Sequence, residues 1–288
     1  GVHCKFTPGK SLMSNARFSF FLILPAVIIC AAFLILPMAQ LIVVSLEKGS
    51  IAEGTFAATY REMLTTPRYL SSLLATVILS VAVTLTTLVI STLCGLLLAR
   101  NRFAGREVLT ALLTFPLVFP GVVVGFMVIM LGGRQGLLAY TTMALDAGRV
   151  TFAYSMTGLF VGYLYFSIPR VLLTVMAGIE KLDGALEEAA RSLGASPLTV
   201  LKDIILPALM PAFLASGAVC FATAMGAFGT AFTLATDIDV LPMVIYTEFT
   251  LNANIAMAAA LSLLLGVITW IMLAIARAVG GTSVAAAA

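Results

Sequence analysis

Long unbroken runs of apolar residues make up most of this chain, and polar and charged positions collect in the short intervals between them. A helix needs about 20 consecutive apolar residues to cross a bilayer. Six stretches reach that length, at about 18–46, 70–99, 107–131, 151–179, 208–236 and 254–279. The pattern predicts one all-α integral membrane domain over 18–279, with tails at 1–17 and 280–288. The interval 47–69 is long enough for a short surface helix, and Pro67 stands near the start of the second span, where a missing amide hydrogen is tolerated. Gly121 and Gly125 have the spacing of a close helix contact.

Composition supports this reading: 61% of residues are hydrophobic and 10% charged, and mean hydropathy is +1.12. A soluble globular chain carries about a quarter charged residues. The net charge of +3 is too small to point to nucleic acid, but its distribution is informative. With the first terminus in the cytoplasm, ten basic residues (Lys5, Lys10, Arg17, Arg100, Arg102, Arg106, Lys181, Arg191, Lys202 and Arg277) fall inside and five fall outside. That asymmetry satisfies the positive-inside rule. Both termini are therefore expected in the cytoplasm, with the interval 180–207 on the same side. The first apolar run is about twice the length of a signal-peptide core, so it is expected to stay. Cys4, Cys30, Cys94 and Cys220 show no paired spacing, and neither a metal site nor a disulfide framework is implied. His3 is the single histidine and lies in the tail.

The interval 180–207 is the polar island of the chain. Asp183 is placed to cap a helix over Gly184–Leu193, and Gly194 to end it in a left-handed turn. Ser196 caps a second helix with Pro197 in its first position. That helix is expected to end near Leu206-Pro207, a proline pivot into the fifth span. The whole predicts a stiff knuckle projecting from the membrane.

Within it, Glu188-Ala189-Ala190 is followed after three residues by Gly194, then after nine by Ile204, then by Leu206-Pro207. This resembles the signature of binding-protein-dependent ABC importer permeases, Glu-Ala-Ala, three residues, Gly, nine residues, Ile, one residue, Leu-Pro. The resemblance implies a six-helix, MetI-like permease fold in a bacterial inner membrane. It also implies that Glu187, Glu188, Ala189, Ala190, Leu193, Gly194, Ala195, Ser196, Pro197 and Pro207 form the ATPase-coupling segment. The partners it implies are two cytoplasmic ABC ATPases, a second permease of similar fold or another copy of this one, and a periplasmic solute-binding protein. ATP and magnesium would then belong to the ATPases. This chain has no Gly-x-x-x-x-Gly-Lys-Ser/Thr loop to hold a nucleotide, and Gly132-Gly133-Arg134-Gln135-Gly136 reads as a turn.

Two readings from other classes compete. Glu187 to Ile204 also reads as a DNA-binding helix-turn-helix, but Pro197–Ile205 offers a single basic residue, Lys202, beside Asp203, where a recognition helix needs basic and amide side chains. An ion-coupled carrier would place carboxylates inside its spans, and every Asp and Glu here is expected in a loop or at a span end. For the path itself the candidates are Tyr163, Arg170, Met225, Phe228 and Phe232. Met225-Gly226-Ala227-Phe228-Gly229-Thr230 and Leu241-Pro242 look like permeases for polyamines, ferric iron and phosphonates. Phe228 between glycines is either an aromatic plug or ordinary packing. Arg170, after Pro169, is the one charge deep in an apolar run. Burying it costs about 2.5–3.5 kcal/mol on insertion scales, so it faces a wet cavity, a partner or the interface. If it lines the path it favours an anion over a polyamine.

Overall fold

The computed structural model describes residues 16–46, 57–146, 148–234 and 238–280. The tails expected at 1–17 and 280–288 lie almost wholly outside them. Among the described residues all regular structure is helical, and six helical stretches are long and apolar enough to cross a membrane.

The first and fifth of these share a device. α1 (Ala16–Cys30) passes through a π turn at Ala31–Ile35 into α2 (Leu36–Leu46), and α10 (Pro197–Val200) passes through a π turn at Leu201–Ile205 into α11 (Leu206–Met225). Each π turn runs into a Leu-Pro pair, Leu36-Pro37 and Leu206-Pro207. Proline has no amide to donate, and its ring collides with the carbonyl four residues back. A wider turn moves that carbonyl aside, and the Leu206 amide donates to Leu201, five residues back. The expected pivot at Pro207 is therefore corrected: the helix continues from Pro197 to Met225, 29 residues, about 43 Å at 1.5 Å per residue. The helix-turn-helix alternative falls with it. Its would-be recognition helix is the first turn of a membrane span, with Val200 and Ile205 buried.

The third span, expected as one helix over 107–131, is broken. α3 (Ala57–Thr65) and α4 (Pro67–Arg100) precede it, and then α5 (Arg106–Thr114) tightens into a 3₁₀ turn at Phe115–Val118. Phe119 and Pro120 are extended before α6 (Gly121–Gly132) begins. Pro116 and Pro120 remove two amide donors within five positions, which a continuous helix does not survive. A turn at 133–136 then leads to α7 (Leu137–Ala144).

At the centre, α8 (Met156–Glu180) runs beside α4 and buries Leu159, Leu172, Val175 and Ile179 completely. The polarity of α4 is inverted relative to a soluble helix. Ser72, Thr76, Ser80, Thr84, Thr87 and Ser91, spaced by three or four, are buried, while Leu74, Leu85, Val89 and Leu93 on the opposite face are about 60% exposed. Small hydroxyl residues let membrane helices approach closely. Some of their hydroxyls have partners: Thr76 donates to the Ser72 carbonyl of its own helix at 2.6 Å and accepts the Leu241 amide, from the start of α13, at 2.8 Å.

Beyond α9 (Gly184–Ser192) and α11, α12 (Phe228–Leu234) and α13 (Leu241–Thr250) lead to α14 (Ile255–Gly280). Glu248, expected in an outer loop, sits on α13 at 4% exposure and accepts from Asn252 at 3.1 Å. Its helix is tucked against α14 and α4 by Leu241, Val244 and Met257. α12 lies along α6 at Gly121 and Gly125. A Cβ on Gly125 would stand 2.6 Å from the Thr233 Cβ, so Gly125→Leu is expected to lower stability by about 1–3 kcal/mol through overpacking. A melting temperature in detergent equal to that of the parental protein would refute this contact.

Candidate functional site

Two breaks in the helical framework meet beside Arg170. Arg170 lies ten residues before the end of α8 at Glu180, about 15 Å along the helix. Facing it are the Phe119-Pro120 break before α6 and the Gly226-Ala227 break between α11 and α12. Between them is a cavity of about 260 Å³ bordered by Pro116, Phe119, Gly121, Phe166, Arg170 and Thr223. The Arg170 guanidinium donates to the Thr223 hydroxyl at 3.0 Å. Thr223 can accept because its own proton is already directed to the Val219 carbonyl at 2.6 Å. A guanidinium carries five donors, and this bond uses one of them. α6 starts at this wall with Gly121, and its Val123 and Val124 amides donate to the Pro120 carbonyl at 2.9 and 3.2 Å.

The break at Gly226-Ala227 is held in place by Tyr163, whose hydroxyl donates to the Ala227 carbonyl at 2.6 Å. A helix interruption frees carbonyls, and a buried free carbonyl is costly. Tyr163 thus stabilises the break rather than lining the cavity; its ring is 1% exposed and leans on Phe166 at 5.5 Å. Met225 is fully buried. Phe228 and Phe232 form a three-ring cluster with Tyr246, with centroids 5.3–5.5 Å apart, next to the cavity but outside its border. Of the five path candidates, Arg170 is the one at the cavity wall. Thr223 was not foreseen from sequence, and neither was the 3₁₀ turn that completes the wall. The signal for the latter was present: two prolines four residues apart in an apolar run announce a broken helix.

The knuckle forms as its residues dictate. Asp183 accepts the Ala185 amide at 2.9 Å. Gly194 has φ +86°, and around it the Ala195 amide donates to Ala190 and the Gly194 amide to Arg191, both at 3.0 Å, the paired bonds of a glycine-ended helix. Ser196 accepts the Thr199 amide at 3.2 Å and Pro197 opens α10. Glu188, Ala189, Leu193, Gly194, Ser196 and Pro197 are exposed; Ala190 and Ala195 are half-buried. Pro207 lies inside the continuous rod. Glu187 points the other way: it is 7% exposed and ion-paired with Arg100 at the end of α4, with Arg191 at 3.7 Å. The sequence placed it with the coupling residues, and nothing linear marks a partner 87 positions away.

A bundle of spanning helices with a charged cavity at mid-depth, walled by broken helices, and a capped polar knuckle at one end defines a membrane transport subunit. The profile of the family described as binding-protein-dependent transport system inner membrane component matches residues 91–281, and the chain belongs to that family. It is 29% identical over 254 residues to a permease of Salmonella typhimurium strain LT2 assigned to 2-aminoethylphosphonate transport, covering 87% of this chain and 88% of that one. It is 30% identical over 205 residues to the sulfate transport system permease of the same strain, covering 71% and 70%. A crystal structure of a bacterial alginate ABC transporter in complex with an alginate-bound periplasmic protein contains a chain of the same fold, with TM-score 0.79, 18% identity and coverage of 92% and 96%. This protein is thus a multi-pass transmembrane permease subunit of an ABC importer, and the ion-coupled carrier alternative is set aside.

Proposed function

We propose that this chain forms half of the path for a small oxyanion, delivered by a periplasmic binding protein and driven by ATPases that dock on the knuckle. The observation that carries the oxyanion reading is Arg170, which lies ten residues inside a spanning helix and borders a half-open pocket between two helix breaks. A charge at that depth is retained where it meets water, a counter-charge or a ligand. The first turn of α6 adds a positive dipole end to the same wall. A polyamine or a ferric ion would meet like charge there. The two relatives named above, assigned to a phosphonate and to sulfate, agree with an anionic cargo.

The docking reading rests on Leu186, Leu193 and Leu198, which are 61%, 89% and 75% exposed around the Gly194 turn. Three bare leucines on the knuckle and the first turn of the rod that follows it are apolar surface that a partner would cover. Two ATPases, a second permease of similar fold or another copy of this one, and cytoplasmic placement of the knuckle and both termini complete the assembly. The test is uptake by vesicles containing the chain alone or together with its ATPase and binding protein. Uptake should require the full set plus ATP, and 2-aminoethylphosphonate or sulfate should compete where spermidine does not. Accumulation by the chain alone, or competition by spermidine only, would overturn the proposal.

A further inference from the structure

The knuckle has a direct covalent route into the bundle through the rod Pro197–Met225, but it also touches a second element. Arg100, at the end of α4, pairs with Glu187, and Arg106, at the start of α5, pairs with Glu180 at 3.2 Å. The short segment 100–106 is thereby stapled at both ends to the segment 180–187 that carries the first knuckle helix. Glu187 is buried between Arg100 and Arg191, and a buried carboxylate is held firmly only while its counter-charges stay in place.

The helix and turn that continue from segment 100–106 are loosely seated. Neither α5 nor the 3₁₀ turn after it has a fully buried residue, and the half-buried Leu113 packs on Leu98, Leu172 and Met176, so they are held lightly. Leu117 on that turn, 42% exposed, borders the Arg170 cavity and also a second, wide-open cavity of about 720 Å³ bordered by Arg106, Thr110, Thr114, Leu173 and Met176. It stands on the rim that the two share. It lies eleven residues from Arg106, about 17 Å at helical rise.

We propose that residues 100–117 are a second transmission arm: clamped to the knuckle by Arg100–Glu187 and Arg106–Glu180, it carries the knuckle's displacement to Leu117 and so moves the rim shared by the two cavities. This rests on the knuckle being the ATPase dock. Arg100 and Arg106 are positioning residues in it, since neither touches solute.

The test uses the assembled transporter with Leu117→Cys in a background lacking Cys4, Cys30, Cys94 and Cys220, labelled by a membrane-impermeant thiol reagent with and without ATP. Addition of ATP should change the labelling rate at least about fivefold, the lower range of coupling between distant sites. In Arg100→Gln or Arg106→Gln the ATPase should still copurify, while the ATP-dependent change drops below about twofold; Arg106→Lys, which keeps the charge, should recover it. If Arg100→Gln does not assemble, Arg106→Gln decides the matter alone, because its pair is partly exposed. A full ATP response in the neutralised variants, or none in the parental background with ATPase bound, overturns the arm. Failure of the ATPase to bind the unmodified knuckle would instead strike the docking reading beneath it.

Discussion

Replacing Gly194 with tryptophan should remove at least about nine tenths of the ATPase that copurifies with this chain, a loss of about 1.4 kcal/mol or more in binding, while membrane insertion is unchanged. Gly194 sits at φ +86°, where a side chain costs about 1–2 kcal/mol. It is also the hinge of the paired hydrogen bonds that orient α9 against α10. No atom lies within 4 Å of the position a Cβ would take, so the side chain starts into open space beside the exposed Leu193 and Leu198. The effect is therefore on the partner and not on folding. Gly194→Ala isolates the backbone strain and should give a smaller loss. Unchanged copurification with the tryptophan variant would show that the ATPase docks elsewhere.

Arg170→Ala should lower uptake of the oxyanion about 10- to 100-fold, on the scale of one hydrogen bond to a charged group, about 1.5–3 kcal/mol. Assembly should survive, because the side chain is exposed in the isolated subunit and gives up one bond, to Thr223. The variant also relieves the bilayer cost of a deep charge, so yield should not fall. Arg170→Lys keeps the charge but not the planar fork that suits tetrahedral oxyanions, and should fall between the two. Initial uptake rates at matched expression decide this. Parental rates in the alanine variant would make Arg170 a structural contact and remove the main support for an anionic cargo.

The knuckle was legible in the sequence because every force that shapes it acts within a few residues: Asp183 and Ser196 cap their own helices, and Gly194 supplies its own positive φ. The membrane class was legible for a similar reason, since the length of an apolar run alone measures it against a bilayer. The pivot at Pro207 was misplaced because proline's local cost is certain but its remedy is not. A π turn one step upstream preserves the helix, and Leu36-Pro37 shows the same remedy in the first span. Glu248 was placed in a loop because a carboxylate in a short polar interval looks solvated; the packing of α13 against α4 and α14 buries it. Glu187 and Glu188 are adjacent and alike in sequence, yet one faces Arg100 and the other faces out, a distinction of about 100° around a helix.

The sequence by itself determined that this chain lives in a membrane, that one polar knuckle interrupts the spans, and where the caps at Asp183, Gly194 and Ser196 start and stop its helices. Those properties arise from transfer of side chains to lipid and from hydrogen bonds between near neighbours. The tertiary structure alone decided that the breaks at Phe119-Pro120 and Gly226-Ala227 meet around Arg170, that Tyr163 holds one of them, and that Arg100 reaches Glu187. These contacts join residues between 53 and 109 positions apart, and their strength depends on which helix faces approach, a matter of packing to which no local pattern is sensitive.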